Sequence, residues 1–152
     1  MGSALHGSSA DLIETMALLK DVKTARKVVR SMLHSRRNRR RVAHLVAEHP
    51  LPTPGSISIA VYFADTKVNL YQMRQWYAPL AELSKKFPVA IIARSPSSVL
   101  ALWNEAPVPT LYLRRVSELE QFVSEQPLKI VFYVNQNAKN FQMFRYGHMW
   151  HV

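Results

Sequence analysis

KIVFYVNQNAKNFQMFRYGHMWHV, residues 129–152, sets out a strand, a turn, a helix and another strand in order. Ile130–Val134 is apolar, rich in β-branched and aromatic residues, and of strand length. Asn135 to Asn140 is a turn crowded with amides. Lys139–Tyr146 predicts a short aromatic and basic helix, and Met149–Val152 the start of a fifth strand. The last residues, Trp150-His151-Val152, favour burial over a solvated tail. That ending predicts the front part of something larger.

The same alternation runs upstream. Ser56–Phe63 (SISIAVYF) predicts a first strand, Asn69–Lys86 a helix, Val89–Ala93 (VAIIA) a second strand and Pro96–Trp103 a short helix. Thr110–Leu113 predicts a third strand. Ser117–Ser124 predicts a helix, with Ser117 and Glu120 at capping-box spacing. Pro79 should kink its helix or mark a helix start. Short apolar strands alternating with helices argue for a parallel sheet covered on both faces. Right-handed crossovers then give an α/β, Rossmann-like half. Such sheets bind ligands at the carboxyl ends of their strands, so the loops after Phe63, Ala93, Leu113 and Val134 are the ones to watch.

Before this domain the pattern changes. Residues 1–9 are Gly/Ser-rich and predict a disordered tail. Residues 10–48 are helical in pattern, with Ser9 or Asp11 as a possible cap. Leu12, Met16, Leu19, Val22, Val29, Met32 and Leu33 form an apolar stripe. The basic run Arg36, Arg37, Arg39, Arg40 and Arg41 interrupts it, and Val42, Leu45 and Val46 resume it. Pro50, Pro52, Pro54 and Gly55 mark a linker at 49–55.

The formal charge is +10, and residues 1–50 hold ten Lys/Arg against four Asp/Glu. That excess attracts polyanions: anionic lipid, phosphate polymers or nucleic acid. Aromatics are not interleaved with Arg36–Arg41, which argues against nucleic acid as the partner. No cysteine is present, so no disulfide or thiolate metal site is expected. The N-terminus lacks the apolar core of a signal peptide, and no apolar run approaches membrane-spanning length. These features fit a cytoplasmic protein.

The four glycines, at 2, 7, 55 and 147, follow no predicted strand in a phosphate-binding pattern. A G-x-G-x-x-G turn or a P-loop is excluded, and no cofactor is expected. The six histidines lack zinc spacing, so no metal is expected. No nucleophile–base constellation or carboxylate pair can be assigned, so no catalytic residue is named. Asp65 and Asn69 either bind a hydroxyl or phosphate or, as is commoner, cap a turn and a helix. Asn135, Asn137, Lys139 and Asn140 suit sugar hydroxyls and phosphate oxygens at a helix start, or form a solvated, capped turn.

The strand followed by VNQNAKNFQMFRYGHMWHV resembles the CDP-glycerol glycerophosphotransferases, the teichoic-acid-type polymerases and primases. NLYQMRQWYAPLAEL followed by VAIIAR is similar to the N-terminal half of a bacterial subgroup of them. The resemblance covers residues 56–152. It implies a GT-B architecture, with an N-terminal domain facing an anionic polymer acceptor and a C-terminal domain holding CDP-glycerol. It implies transfer of glycerol phosphate in cell-wall synthesis by a peripheral protein on the inner face of the membrane. Asn135, Asn137, Lys139 and Asn140 become acceptor contacts. The family's catalytic His-Gly motif falls after Val152, and His151 is not that base. This chain alone is then expected to be inactive. The rival reading is a basic membrane- or nucleic-acid-binding arm on a flavodoxin-like domain.

Overall fold

The computed structural model describes residues 9–134 and 148–151, with side chains from 15 to 134. The chain divides into two compact units, Met1–Arg37 and Asn38–Val152. Helix α1 spans Ser9–Glu48. The arginine run does not break it, because arginine is a good helix former and no Pro or Gly intervenes.

In the first unit every described side chain of α1 is exposed. Met16, Leu18, Leu19, Val22, Val28, Val29, Met32 and Leu33 all lie between 46% and 70% exposed. The expected single stripe is not what the helix presents: Leu18, Val22, Val29 and Met32 share one side, Met16 and Leu19 lie on another, and nothing within their own unit covers them. In the second unit Asn38 and Val42 are buried, and Leu45 and Val46 are half-buried.

The second unit is built on a parallel sheet of order β3-β2-β1-β4-β5. The strands are β1 (Ile59–Phe63), β2 (Val89–Ala93), β3 (Thr110–Tyr112), β4 (Ile130–Tyr133) and β5 (His148–His151). In register, Val61 lies opposite Ile91 on one side and Phe132 on the other. Val131 pairs with Met149. All five residues of β1 and of β2 are buried, as expected for central strands covered on both faces.

Alternation divides those residues between two cores. Ile59, Val61, Phe63, Val89 and Ile91 pack with Leu70, Met73, Leu80, Val99, Leu102 and Val42. These come from α2 (Leu70–Arg74), α3 (Tyr77–Ser84), α4 (Pro96–Glu105) and the end of α1. Ala60, Tyr62, Ala90 and Ile92 face the other way, onto Leu119, Phe122 and Val123 of α5 (Val116–Glu125). Crossover handedness explains the division. The steps β1→β2→β3 move one way across the sheet, so right-handed crossovers put their helices on one face. The step β3→β4 moves back and puts α5 on the other.

Several boundaries differ from the sequence reading. The helix predicted over 69–86 is a 3-10 turn (Lys67–Asn69) followed by α2 and α3. Pro79 sits in the first turn of α3, where its missing N–H has no helical partner to lose. The capping box on α5 is two residues earlier than predicted: Glu118 accepts the Arg115 N–H at 2.9 Å. Asn69 makes no side-chain cap; its amide donates instead to Asp65 Oδ2 at 2.5 Å. The helix expected over 139–146 and most of the N-terminal tail lie outside the described residues.

The linker is fastened. Gly55, at φ +81°, takes a backbone form that favours glycine, and its N–H donates to Glu125 O at 2.9 Å. Gln126 is buried; its Oε1 accepts the Ile57 N–H at 2.8 Å and its Nε2 donates to Thr53 O at 3.0 Å.

Two stability measurements follow. Gln126→Ala leaves the Ile57 N–H buried without its acceptor and should destabilise the protein by about 1–3 kcal/mol in urea unfolding. Leu102→Ala, at a fully buried site, should lose about 2–5 kcal/mol, whereas exposed Leu33→Ala should stay within about 0.5 kcal/mol. A comparable loss at Leu33 would show that it is covered.

Candidate functional site

The chain leaves β1 toward β2 and leaves β4 toward β5, in opposite directions across the sheet. Connections that diverge from neighbouring strands open a crevice at their carboxyl ends. Pairing of Tyr62 with Tyr133 brings Val134 level with Phe63, and both belong to one apolar cluster. The loop Ala64-Asp65-Thr66 therefore meets the exit of β4 at this switch point.

Asp65 is held by its own loop. Its Oδ1 accepts the Thr66 N–H at 2.6 Å, its Oδ2 accepts from Asn69, and its main-chain oxygen accepts the Ser98 hydroxyl at 2.8 Å. Ser98 is fully buried near the start of α4, so the loop after β1 is tied to that helix. The turn-capping role of Asp65 is the one the geometry supports. Asn135, Asn137, Lys139 and Asn140 lie outside the described residues, past the point where β4 delivers the chain.

The next strands contribute arginines that sequence reasoning did not single out. Arg94 follows β2; its Nη1 donates to the Tyr62 hydroxyl at 3.2 Å and its Nη2 to Arg114 O at 2.6 Å. It thus links the carboxyl ends of β1, β2 and β3. Arg114 and Arg115 follow β3. The signal was present in the sequence: a cation directly after a buried apolar strand stands at the sheet's ligand-binding edge.

Of the five arginines read as anion-binding, Arg36 and Arg37 belong to the first unit and Arg39, Arg40 and Arg41 to the second. All are exposed. Arg39 lines an open groove with Tyr112, Arg114 and Arg115. Arg40 and Arg41 line another with His44 and Asn104. Burial pushes the Tyr112 phenol above its ordinary range, while the charges of Arg114, Arg39 and Arg94 pull it the other way. No group of three or more potential metal ligands occurs among the described residues.

A separate ionic cluster is structural. Arg74 Nε and Nη2 meet the Glu105 carboxylate at 3.1 and 3.2 Å, tying α2 to the end of α4. Beside it the Tyr77 phenol is pushed up to about 12 from 10.0, first by burial and then by Glu105. The raised value means the folded state favours the neutral phenol. Its contribution is complete below the ordinary pKa of 10.0 and is lost as pH rises through about 12. Tyr77→Phe should therefore flatten the fall in stability across that window in alkaline urea titrations. An unchanged pH profile would assign the fall to other groups.

The chain matches no family model, no curated protein and no solved structure.

Proposed function

We propose that the parallel-sheet unit is the acceptor-side domain of a CDP-glycerol glycerophosphotransferase-like enzyme, a Rossmann-like N-terminal half of a GT-B architecture. The observation that carries this reading is the switch point. The strand that leads into NQNAKN is the one beside β1 in the order 3-2-1-4-5, where parallel sheets take ligands. The sequence resemblance over residues 129–152 supports it independently. So does the lack of a phosphate-cradling loop: Gly55 is the one glycine among the described residues, and it sits in the linker. Donor binding then belongs to another domain.

In this reaction an acceptor hydroxyl oxygen attacks the phosphorus that carries glycerol in CDP-glycerol. A new phosphodiester forms, the pyrophosphate P–O bond breaks, and CMP leaves. A base outside these residues takes the hydroxyl proton. The present domain orients the acceptor. Amides at Asn135, Asn137 and Asn140 donate to phosphate oxygens and hydrogen-bond hydroxyls, and Lys139 supplies a matching charge. Asp65 holds the neighbouring loop in shape.

The first unit supports a peripheral location on an anionic membrane face. No described helix is long and apolar enough to cross a membrane. Leu18, Val22, Ala25, Val29 and Met32 follow at spacings of four and three, so they share one side of α1 and are all exposed. Lys20, Lys23, Lys27 and Arg30 take the other side. An apolar stripe backed by cations fits the interface of an anionic bilayer, with each charge worth about 1 kcal/mol near the surface.

Two experiments test these readings. In the enzyme that carries this domain, alanine at Asn135, Asn137, Lys139 and Asn140 together should raise the acceptor KM about tenfold or more while leaving CDP-glycerol saturation unchanged. Unchanged acceptor kinetics would remove them from the site. For α1, vesicles containing phosphatidylglycerol should bind the protein, and Val22→Ser/Val29→Ser should weaken that binding several-fold. Binding that ignores both serines but follows DNA would favour the nucleic-acid arm.

A further inference from the structure

The groove between the last turns of α1 and the end of β3 has a chemistry that the switch point does not use. It is open, about 640 Å³ in volume, and Arg39, Arg114 and Arg115 line it around Tyr112. Two parts of the chain far apart in sequence converge here: α1, and the short run from the end of β3 into the start of α5. Ala43 and Ala47, one helical turn apart on α1, form part of the wall. Their small side chains leave the space open.

All three guanidinium groups belong to exposed residues. One carboxylate, Glu118, also lines the groove, and it is engaged locally. Its Oε2 accepts the Arg115 N–H at 2.9 Å and its Oε1 lies 3.9 Å from Arg115 Nε. The groove therefore keeps a cationic excess. The ten-residue helix α5 also begins at this point, and its N-terminal dipole adds to the field. Arg94 holds the Arg114 carbonyl at 2.6 Å, which fixes the backbone that presents two of the arginines.

Guanidinium forks match phosphate oxygens in pairs and stay charged at any physiological pH. We propose that the groove formed by Arg39, Arg114 and Arg115 around Tyr112 is a binding site for a phosphate-bearing chain. The phosphate groups are those of a soluble polymer or of lipid headgroups. Nucleic acid is the poorer match, since Tyr112 is partly buried and no exposed aromatic among the groove residues offers a stacking face. The site stands two strands from β1 at the sheet edge, and it needs no donor domain. It therefore stands or falls apart from the glycerophosphotransferase reading.

The test is binding of short-chain inorganic polyphosphate to the full chain by calorimetry, beside binding to phosphatidylcholine vesicles with and without phosphatidylglycerol. Arg114→Ala/Arg115→Ala should weaken binding about tenfold or more. Lys86→Ala/Lys129→Ala removes the same charge just before β2 and β4, at the opposite sheet edge, and should change it less than about twofold. Arg114→Lys/Arg115→Lys keeps the charge but not the fork and should fall between them. Selective loss in the polyphosphate arm assigns a soluble polymer, and selective loss only in the vesicle arm assigns a lipid headgroup. Equal loss in the Lys86/Lys129 control overturns the site in favour of diffuse charge. So does tighter binding of a single-stranded oligonucleotide than of polyphosphate. If the double alanine variant unfolds, the lysine pair decides alone: affinity equal to the parent protein's overturns the site.

Discussion

Burial of β1 and β2 on both faces is the constraint on which the rest depends. Every residue of those strands is taken out of water, so each strand needs helices above and below it. Parallel strands cannot be joined by tight turns, and each crossover must supply one of those helices. Handedness then decides which face each helix covers. The positions of α2, α3 and α4 on one face and α5 on the other follow from strand order and that handedness together. The divergence of loops at β1 and β4 follows from the same order.

Basic residues gather at the edge that this topology exposes. Arg94, Arg114 and Arg115 follow β2 and β3, and α1 brings Arg39 to the same side. The Asp65 carboxylate accepts the Thr66 N–H and the Asn69 amide within its own loop. A domain without a glycine-rich cradle cannot wrap a pyrophosphate in its backbone, but it can hold separate phosphates with side chains. Under the function proposed above, that chemistry suits an acceptor-facing domain.

The sheet was legible because its strands are short β-branched runs, such as VAIIA, bounded by breakers. Helix limits were less so. Asn69–Lys86 reads as a helix in which Pro79 marks a kink or a helix start; the start is real, at Tyr77, and the break at Gln75-Trp76 before it lets α2 and α3 each turn a face to the sheet. The α5 cap was misplaced because Ser117-x-x-Glu120 and Arg115-x-x-Glu118 overlap, and the register is set by burial of Leu119, Phe122 and Val123. The apolar recurrence on α1 was visible in the sequence, but periodicity cannot say what covers it, and exposure of Leu18 to Leu33 gave the opposite answer from a core. Gln126 carries no local signal at all. Its partners lie 69 and 73 residues away, and only the folded chain shows the clamp. The arginine groove is hidden for the same reason, since Arg39 and Arg114 meet only through tertiary structure.

The central proposal is that the crevice at the carboxyl ends of β1 and β4 faces a phosphate–polyol chain, with the arginine groove as a second, separate phosphate site. Amide chemical-shift mapping of the isotope-labelled protein, titrated with a soluble glycerol phosphate oligomer, tests it most directly. The account predicts saturable shifts at Ala64–Thr66, Val134–Asn140 and around Arg39, Arg114 and Arg115, with the amino edge at Lys86 and Lys129 silent. Shifts confined to the exposed stripe of α1, or spread evenly over every basic residue, would contradict it.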